Sequence, residues 1–321
     1  MATAVATTSA GVNRSTRPDA CASVSARFAE PLAGTAGATR FWLLVEHPGP
    51  WPADALMQAL GPDLLAEIER RAPGVRTVLI RKSARHQVAR PLCVLVSSAG
   101  PAPWMRQIRL DDYRQILDLD LEALAAGAQP KTGQERTEAL FTVCTHGKRD
   151  ACCAAFGRPV LRAVAAEYDE VWECTHIGGD RFAGNLVCFP HGLYYGHLDV
   201  ASALSAAQSY EAGKVQLDNL RGRSGLPPAA QVAEHCVRAH TGFDGIGEVV
   251  AGEPRDVDTG SAHVQVSANG QMYDVALDGR SVNPSITGGC DLREPVNRVA
   301  WSLRSLRSTD QQYSYSPQEV R

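Results

Sequence analysis

The sequence predicts an α/β protein: two α/β lobes, then a small C-terminal helix-plus-hairpin element. Three observations carry this. Short β-branched runs alternate with stretches of helical period from residue 38 to 213. From 137 to 213 the order is strand, helix, strand, strand, strand, helix, an α/β sandwich. Further on, apolar and polar residues alternate on both sides of Asn269-Gly270, a pair that tolerates positive φ and marks a two-residue hairpin turn.

Residues 1–37 read as a mostly disordered segment. It is rich in Ala, Ser and Thr up to residue 24 and contains Arg14 and Arg17. That composition suits an organellar transit peptide or a disordered bacterial tail. The N-terminal α/β lobe is placed at 38–136. "RFWLLVEHPG" is a buried strand ended by Pro48 and Gly49. "ADALMQALGPDLLAEIERRA" puts Leu56, Leu60, Leu64, Leu65 and Ile68 on one helical face, with a break at Gly61-Pro62. "RTVLIRK" and "RPLCVLVSS" are strands, and Trp104 to Leu110 reads as another. "DDYRQILDL" starts a helix behind Asp111, and "AGAQPKTGQER" is a polar hinge.

The second lobe is placed at 137–213. The strand "ALFTVCT" leads into a loop, and Asp150 caps the helix behind it. Phe156, Val160, Val164 and Tyr168 form an apolar stripe. Gly157 and Pro159 predict a kink or a fresh helix start there. "EVWECTH" is the next strand, and "NLVCFP" with "GLYYGH" make a hairpin. "DVASALSAAQSYEAG" is a helix capped by Asp199 and stopped by Gly213. Residues 214–303 hold a charged linker to 227, a helix "AAQVAEHCVRAH" and the hairpin. Residues 304–321 read as a loose tail. No internal sequence repeat is evident.

Composition narrows the function. Of 321 residues 44% are hydrophobic and 21% charged, an ordinary globular balance. A net charge of −3 gives no reason to expect nucleic acid or an anionic membrane as partner. No run of 18 apolar residues offers a membrane span, and no apolar h-region marks a secretory signal. Nine cysteines, an odd number without an export signal, argue against a disulfide framework. They suit the reducing cytoplasm and metal-binding or redox thiols.

Three cysteines fall within "CTHGKRDACC", residues 144–153. The strand ending at Cys144 and the one ending in "CTHIGGD" place Cys144, Cys153, His176 and Asp180 where sites gather in open α/β sheets. Cys152 and Cys153 are neighbours on a helix, so their side chains diverge by about 100°. Both are therefore not expected at one site, and Cys152 reads as a packed or reserve thiol. Cys174 and Cys188 read as core. Cys290, in "TGGCDLREP", reads as an exposed loop thiol. His146 and His197 read as supporting or surface groups. Asn185 reads as a partner of the loop backbone.

"CTHGKRDACCAAFGRP" and "HIGGDRFAGNLVCFPHGLYYG" together resemble the sucrase/ferredoxin-like proteins, within the thioredoxin-like 2Fe–2S ferredoxin branch. "EPLAGTA" and "FWLLVEHPGPW" resemble the opening of its bacterial members. The resemblance spans roughly residues 20–213. It implies a thioredoxin-like second lobe carrying one 2Fe–2S cluster on two cysteines and two histidines. Carried over, these are Cys144, Cys153 and His176, while the second histidine falls on Asp180. Asp180, His197 and Cys290 are therefore the candidates for the fourth ligand. Gly178 and Gly179 would let backbone amides approach the cluster. A histidine in place of a thiolate raises the potential, and a carboxylate partly undoes that. The expected role is an electron carrier with a redox partner protein and no organic substrate of its own. A cluster-free thiol oxidoreductase and a structural zinc protein are the alternatives.

Overall fold

The computed structural model describes residues 18–82, 88–257, 260–283, 285–291 and 298–309. The expectations for 1–17 and 310–321 lie outside the described residues. Two blocks share one plan. The first runs β1 (Phe41–Glu46), α2 (Ala55–Leu60), α3 (Pro62–Arg71), β2 (Arg76–Arg81), β3 (Leu92–Ser97), β4 (Trp104–Arg109) and, after a 3-10 turn, α4 (Leu121–Ala125). The second runs β6 (Leu140–Cys144), α5 (Ala151–Glu167), β7 (Val171–Cys174), β8 (Leu186–Phe189), β9 (Leu193–Tyr195) and α6 (Val200–Glu211). α1 (Cys21–Arg27) precedes them, and β5 (Gln134–Arg136) lies between them.

In each block the first two strands are parallel. The third pairs antiparallel with the first, and the fourth antiparallel with the third. This is the connectivity of a thioredoxin-like unit, and it occurs twice. Among the described residues no sequence similarity announces the repeat, because each block needs only the same order of apolar strands and helices. The units join where β2 meets β7 antiparallel, with Ile80 opposite Cys174 and Arg81 opposite Glu173. One sheet of order β10-β9-β8-β6-β7-β2-β1-β3-β4-β5 results, so the sheet runs unbroken across the boundary placed at 136.

Several elements differ from their sequence reading. The helix expected behind Asp111 is a 3-10 helix, Tyr113–Asp118, capped by Asp112, whose carboxylate accepts the Arg114 N–H at 2.8 Å. α5 continues through Pro159, which removes one backbone hydrogen bond from the helix. The linker contains β10 (Leu220–Arg223), which closes the sheet on β9. The polar hinge contains β5, which pairs with β4. Strands 249–251 (β11), Ser261–Ala268 (β12), Gln271–Ser281 (β13) and Val299–Ser308 (β14) form a second sheet. β14 therefore extends into the stretch expected to be loose, where Leu306 pairs with Val275 and Ser308 with Tyr273. The expected hairpin is present: Ala268 pairs with Gln271, and Asn269 and Gly270 have φ of +48° and +84°.

Apolar faces account for the layering. Trp42, Leu44, Val78, Ile80, Val94, Cys144, Cys153, Cys174 and Val187 share one core across both units. α2, α3 and α4 cover the first unit's other face, and α5 and α6 the second's. α7 (Pro228–Thr241) packs on the four-stranded sheet through Val232, Ala233 and Val237. The chain before β1 acts as a strap. Its Ala36 exchanges two backbone hydrogen bonds with the Gln231 side chain, both 3.1 Å.

Candidate metal centre

β6 delivers Cys144 to the sheet rim, and the loop behind it turns into α5. Asp150 caps that helix by accepting the Cys152 N–H at 2.8 Å, which fixes Cys152 and Cys153 in the first turn. β7 ends beside β6, with Cys174 in register with Cys144. The first unit then pins the following loop. Thr175 exchanges two hydrogen bonds with the Leu79 backbone, at 2.9 and 3.1 Å, and Arg76 donates to the His176 carbonyl at 3.1 Å.

The donor atoms of Cys153, His176 and Asp180 lie within 4.8 Å of one another. The Cys153 thiol donates to Asp180 Oδ1 at 3.1 Å. His176 Nδ1 is 2.7 Å from the same oxygen, yet it has no hydrogen-bond geometry with it or any other described group. The contact is an ion pair when the imidazole is protonated, and with the Cys153 thiol on the same oxygen it brings three potential ligand atoms together. Cys144 lies outside this triplet and adjoins it through Cys153. Its thiol sits well below the ordinary thiol range, because the neighbouring thiols of Cys153 and then Cys174 stabilise its charge. Cys153 is pushed the opposite way by the same contact with Cys144, by burial and by Asp180. The pair thus gives up a first proton readily and a second reluctantly unless a cation takes its place.

Supporting groups hold the ligands still. His146 is buried. Its Nδ1 accepts the His176 N–H at 3.3 Å, and its Nε2 lies 2.7 Å from the Pro52 carbonyl, which assigns the proton to Nε2. Gly178 and Gly179 have φ of +90° and +78°. A side chain at 179 would drive into the Arg221 guanidinium. Asn185 donates to the Gly179 carbonyl at 2.9 Å, as a partner of the loop backbone. Arg221, fully buried, donates to Asn185 Oδ1 at 2.8 Å and to the Gly178 carbonyl at 3.2 Å. Burial lowers its pKa to about 10, so it remains a cation beside the loop.

Not every candidate meets there. His197 packs against Phe182, with Nε2 3.3 Å from Ser25 Oγ. Cys290 is exposed as expected, but its sulfur lies 3.4 Å from Cys152, away from the triplet. Cys188 is buried in the core, and so is Cys174, which the sequence did not mark as a neighbour of Cys144. Only the parallel register of β6 and β7 reveals that contact. None of the nine cysteines is in a disulfide. Among the described residues no helix is long and apolar enough to cross a membrane.

Altered inheritance of mitochondria protein 32 from Meyerozyma guilliermondii is 34% identical over 80 residues, which take in 20% of this chain and 27% of that protein. The chain thus spans about a quarter of the curated relative it matches. No solved structure matches the chain. The sucrase/ferredoxin-like family model matches residues 32–222, from the strap through both thioredoxin-like units to β10. The chain belongs to the sucrase/ferredoxin-like family.

Proposed function

We propose that this chain is an electron-transfer protein of the 2Fe–2S branch of its family, of the bacterial type its opening stretches resemble. Cys144, Cys153, His176 and Asp180 would hold the cluster. The observation that carries this reading is the convergence of Cys153, His176 and Asp180, with His176 Nδ1 2.7 Å and the Cys153 thiol 3.1 Å from one Asp180 oxygen. The donor set fits: two soft thiolates suit an iron–sulfur unit, and an imidazole and a carboxylate complete four ligands. When bound, the cluster would supply one-electron transfer.

The chain's own residues define how that would work. The Cys144, Cys153 and Asp180 side chains are buried, whereas the His176 side chain is 28% exposed. The imidazole is therefore the edge through which a partner would exchange electrons, and a group able to couple that exchange to a proton. An open groove of about 740 Å³ runs beside His146. Arg81, Lys148, Arg158 and Arg162 line it, which suits a transient, acidic redox partner. Nine free thiols suit a reducing cytoplasm. A thiol oxidoreductase fits less well, since the most acidic thiol of the centre, Cys144, is 1% exposed and out of a substrate's reach.

The compactness of the Cys153–His176–Asp180 triplet favours one second reading, a mononuclear zinc centre on the same residues. Anaerobic purification separates the two. The cluster reading expects brown-red protein with iron and acid-labile sulfide in equal amounts, and an electron paramagnetic resonance signal after dithionite reduction. Asp180→Ala should change that signal and His197→Ala should leave it unchanged. Colourless protein with zinc and no sulfide would reject the cluster.

A further inference from the structure

Donor atoms converge a second time, around Cys152. Cys21 from α1, Asp150 and Cys152 from the start of α5, and Cys290 from the turn beyond β13 bring their donors within 4.8 Å of one another. The Cys152 and Cys290 sulfurs are 3.4 Å apart, and those of Cys290 and Cys21 are 3.5 Å apart. Cys21 Sγ is 3.8 and 3.7 Å from the two Asp150 oxygens. A disulfide would need about 2.05 Å. A tetrahedral ion with thiolate bonds of about 2.3 Å sets its sulfurs about 3.8 Å apart. The two sulfur–sulfur distances, 3.4 and 3.5 Å, lie close to the second value and far from the first.

The surroundings match a bound cation too. Asp150 Oδ1 accepts the Cys152 N–H at 2.8 Å, and Oδ2 accepts the Cys290 N–H at 2.6 Å. Such bonds orient a ligating carboxylate and spread its charge. The positive end of the 17-residue α5 points at the same place. Cys21, Cys152 and Cys290 are separated by more than a hundred residues in sequence, so chance proximity of local neighbours does not explain the cluster.

We propose that Cys21, Asp150, Cys152 and Cys290 form a four-coordinate structural site for one thiophilic divalent ion of the zinc class, separate from the centre built on Cys153. On binding, each thiol releases its proton to solvent and forms a sulfur–metal bond, with no change in oxidation state. Four protein donors leave no open position, so the ion would act as a staple. It ties the N-terminal helix and the 285–291 turn to the helix that presents Cys153. The exposed Cys290 gives the ion its path in.

The test uses the full chain, purified under reductant, with zinc content measured and cobalt(II) as a spectroscopic probe. About one tightly bound zinc per chain is expected. It should survive His176→Ala and Cys153→Ser and be lost in Cys21→Ser and in Cys290→Ser. Cobalt should give the intense visible bands of a tetrahedral thiolate site in His176→Ala and not in Cys290→Ser. Cys290 is exposed, so that variant keeps its fold, which far-ultraviolet circular dichroism checks. Iron and sulfide in the same samples report on the other centre independently. Zinc that persists in both cysteine variants overturns the proposal. So does a reduced wild-type chain that takes up neither metal, or a Cys152–Cys290 disulfide recovered by mass spectrometry from metal-free protein.

Discussion

Asp180 touches both Cys153 and His176 through a single oxygen, and it opens the 3-10 turn that follows the two glycines. At that position the proposed centre would carry a carboxylate where the family pattern has an imidazole. An anionic oxygen donor favours the oxidised state of a metal centre, and a neutral imidazole favours the reduced state. Asp180→His should therefore raise the midpoint potential, read by a redox titration followed by electron paramagnetic resonance. An unchanged potential would remove Asp180 from the ligand set. At this scale the sequence was informative in part: strand ends and the family resemblance named Cys144, Cys153, His176 and Asp180, and the donor atoms of the last three lie within 4.8 Å of one another. It was silent on Cys21, whose partners lie 129 and 269 positions away. No local pattern encodes a contact between segments so remote.

At the scale of elements, the site depends on how closely α5 lies on β6. Gly157 sits where the helix crosses the carbonyl of Cys144, and an added Cβ would fall inside the van der Waals shell of that oxygen. Glycine is needed there for approach, since no positive φ marks it. From the sequence Gly157 and Pro159 predict a kink or a fresh helix start, because propensity alone cannot distinguish a helix break from a close crossing. Other boundaries were legible for a sound reason. Gly61-Pro62 ends one helix and starts the next, with Gly61 at φ +76° and Pro62 in a first turn that needs no N–H. Gly157→Ala should push α5 off the strand and cost about 3 kcal/mol or more in urea unfolding. It should also shift the metal-centre spectrum, because Cys144 and Cys153 ride on the two elements being separated. A cost below about 1 kcal/mol would show that the crossing has slack.

The whole molecule is two thioredoxin-like units edge to edge, with a strap and a small sheet domain locked onto one of them. The unit repeat was not evident in the sequence, since the two blocks share an order of elements rather than a motif. The lock rests on Glu30. Its side chain is fully buried and accepts from Arg181 Nε at 2.9 Å and from Ser25 Oγ at 2.9 Å. Arg298, just before β14, lies 3.4 Å away. One carboxylate thus pairs with two arginines from different parts of the chain, and Arg181 follows the candidate ligand Asp180. Burial already pulls Arg298 down to about 10, and Glu30 is the anion that offsets it. Removing one partner of a buried ion pair leaves the other charged and unsolvated, which costs about 3–5 kcal/mol. Glu30→Ala should lower the urea midpoint accordingly. Replacing Glu30 and both arginines together by methionine should recover most of the loss, because an apolar core of similar volume carries no unpaired charge. A loss under about 1 kcal/mol for Glu30→Ala would mean that water reaches the arginines and that the strap is held elsewhere. The same variant should weaken the grip on the Asp180 turn, so the metal-centre spectrum and the unfolding midpoint should move together, whereas a purely local role for Glu30 would move the midpoint alone.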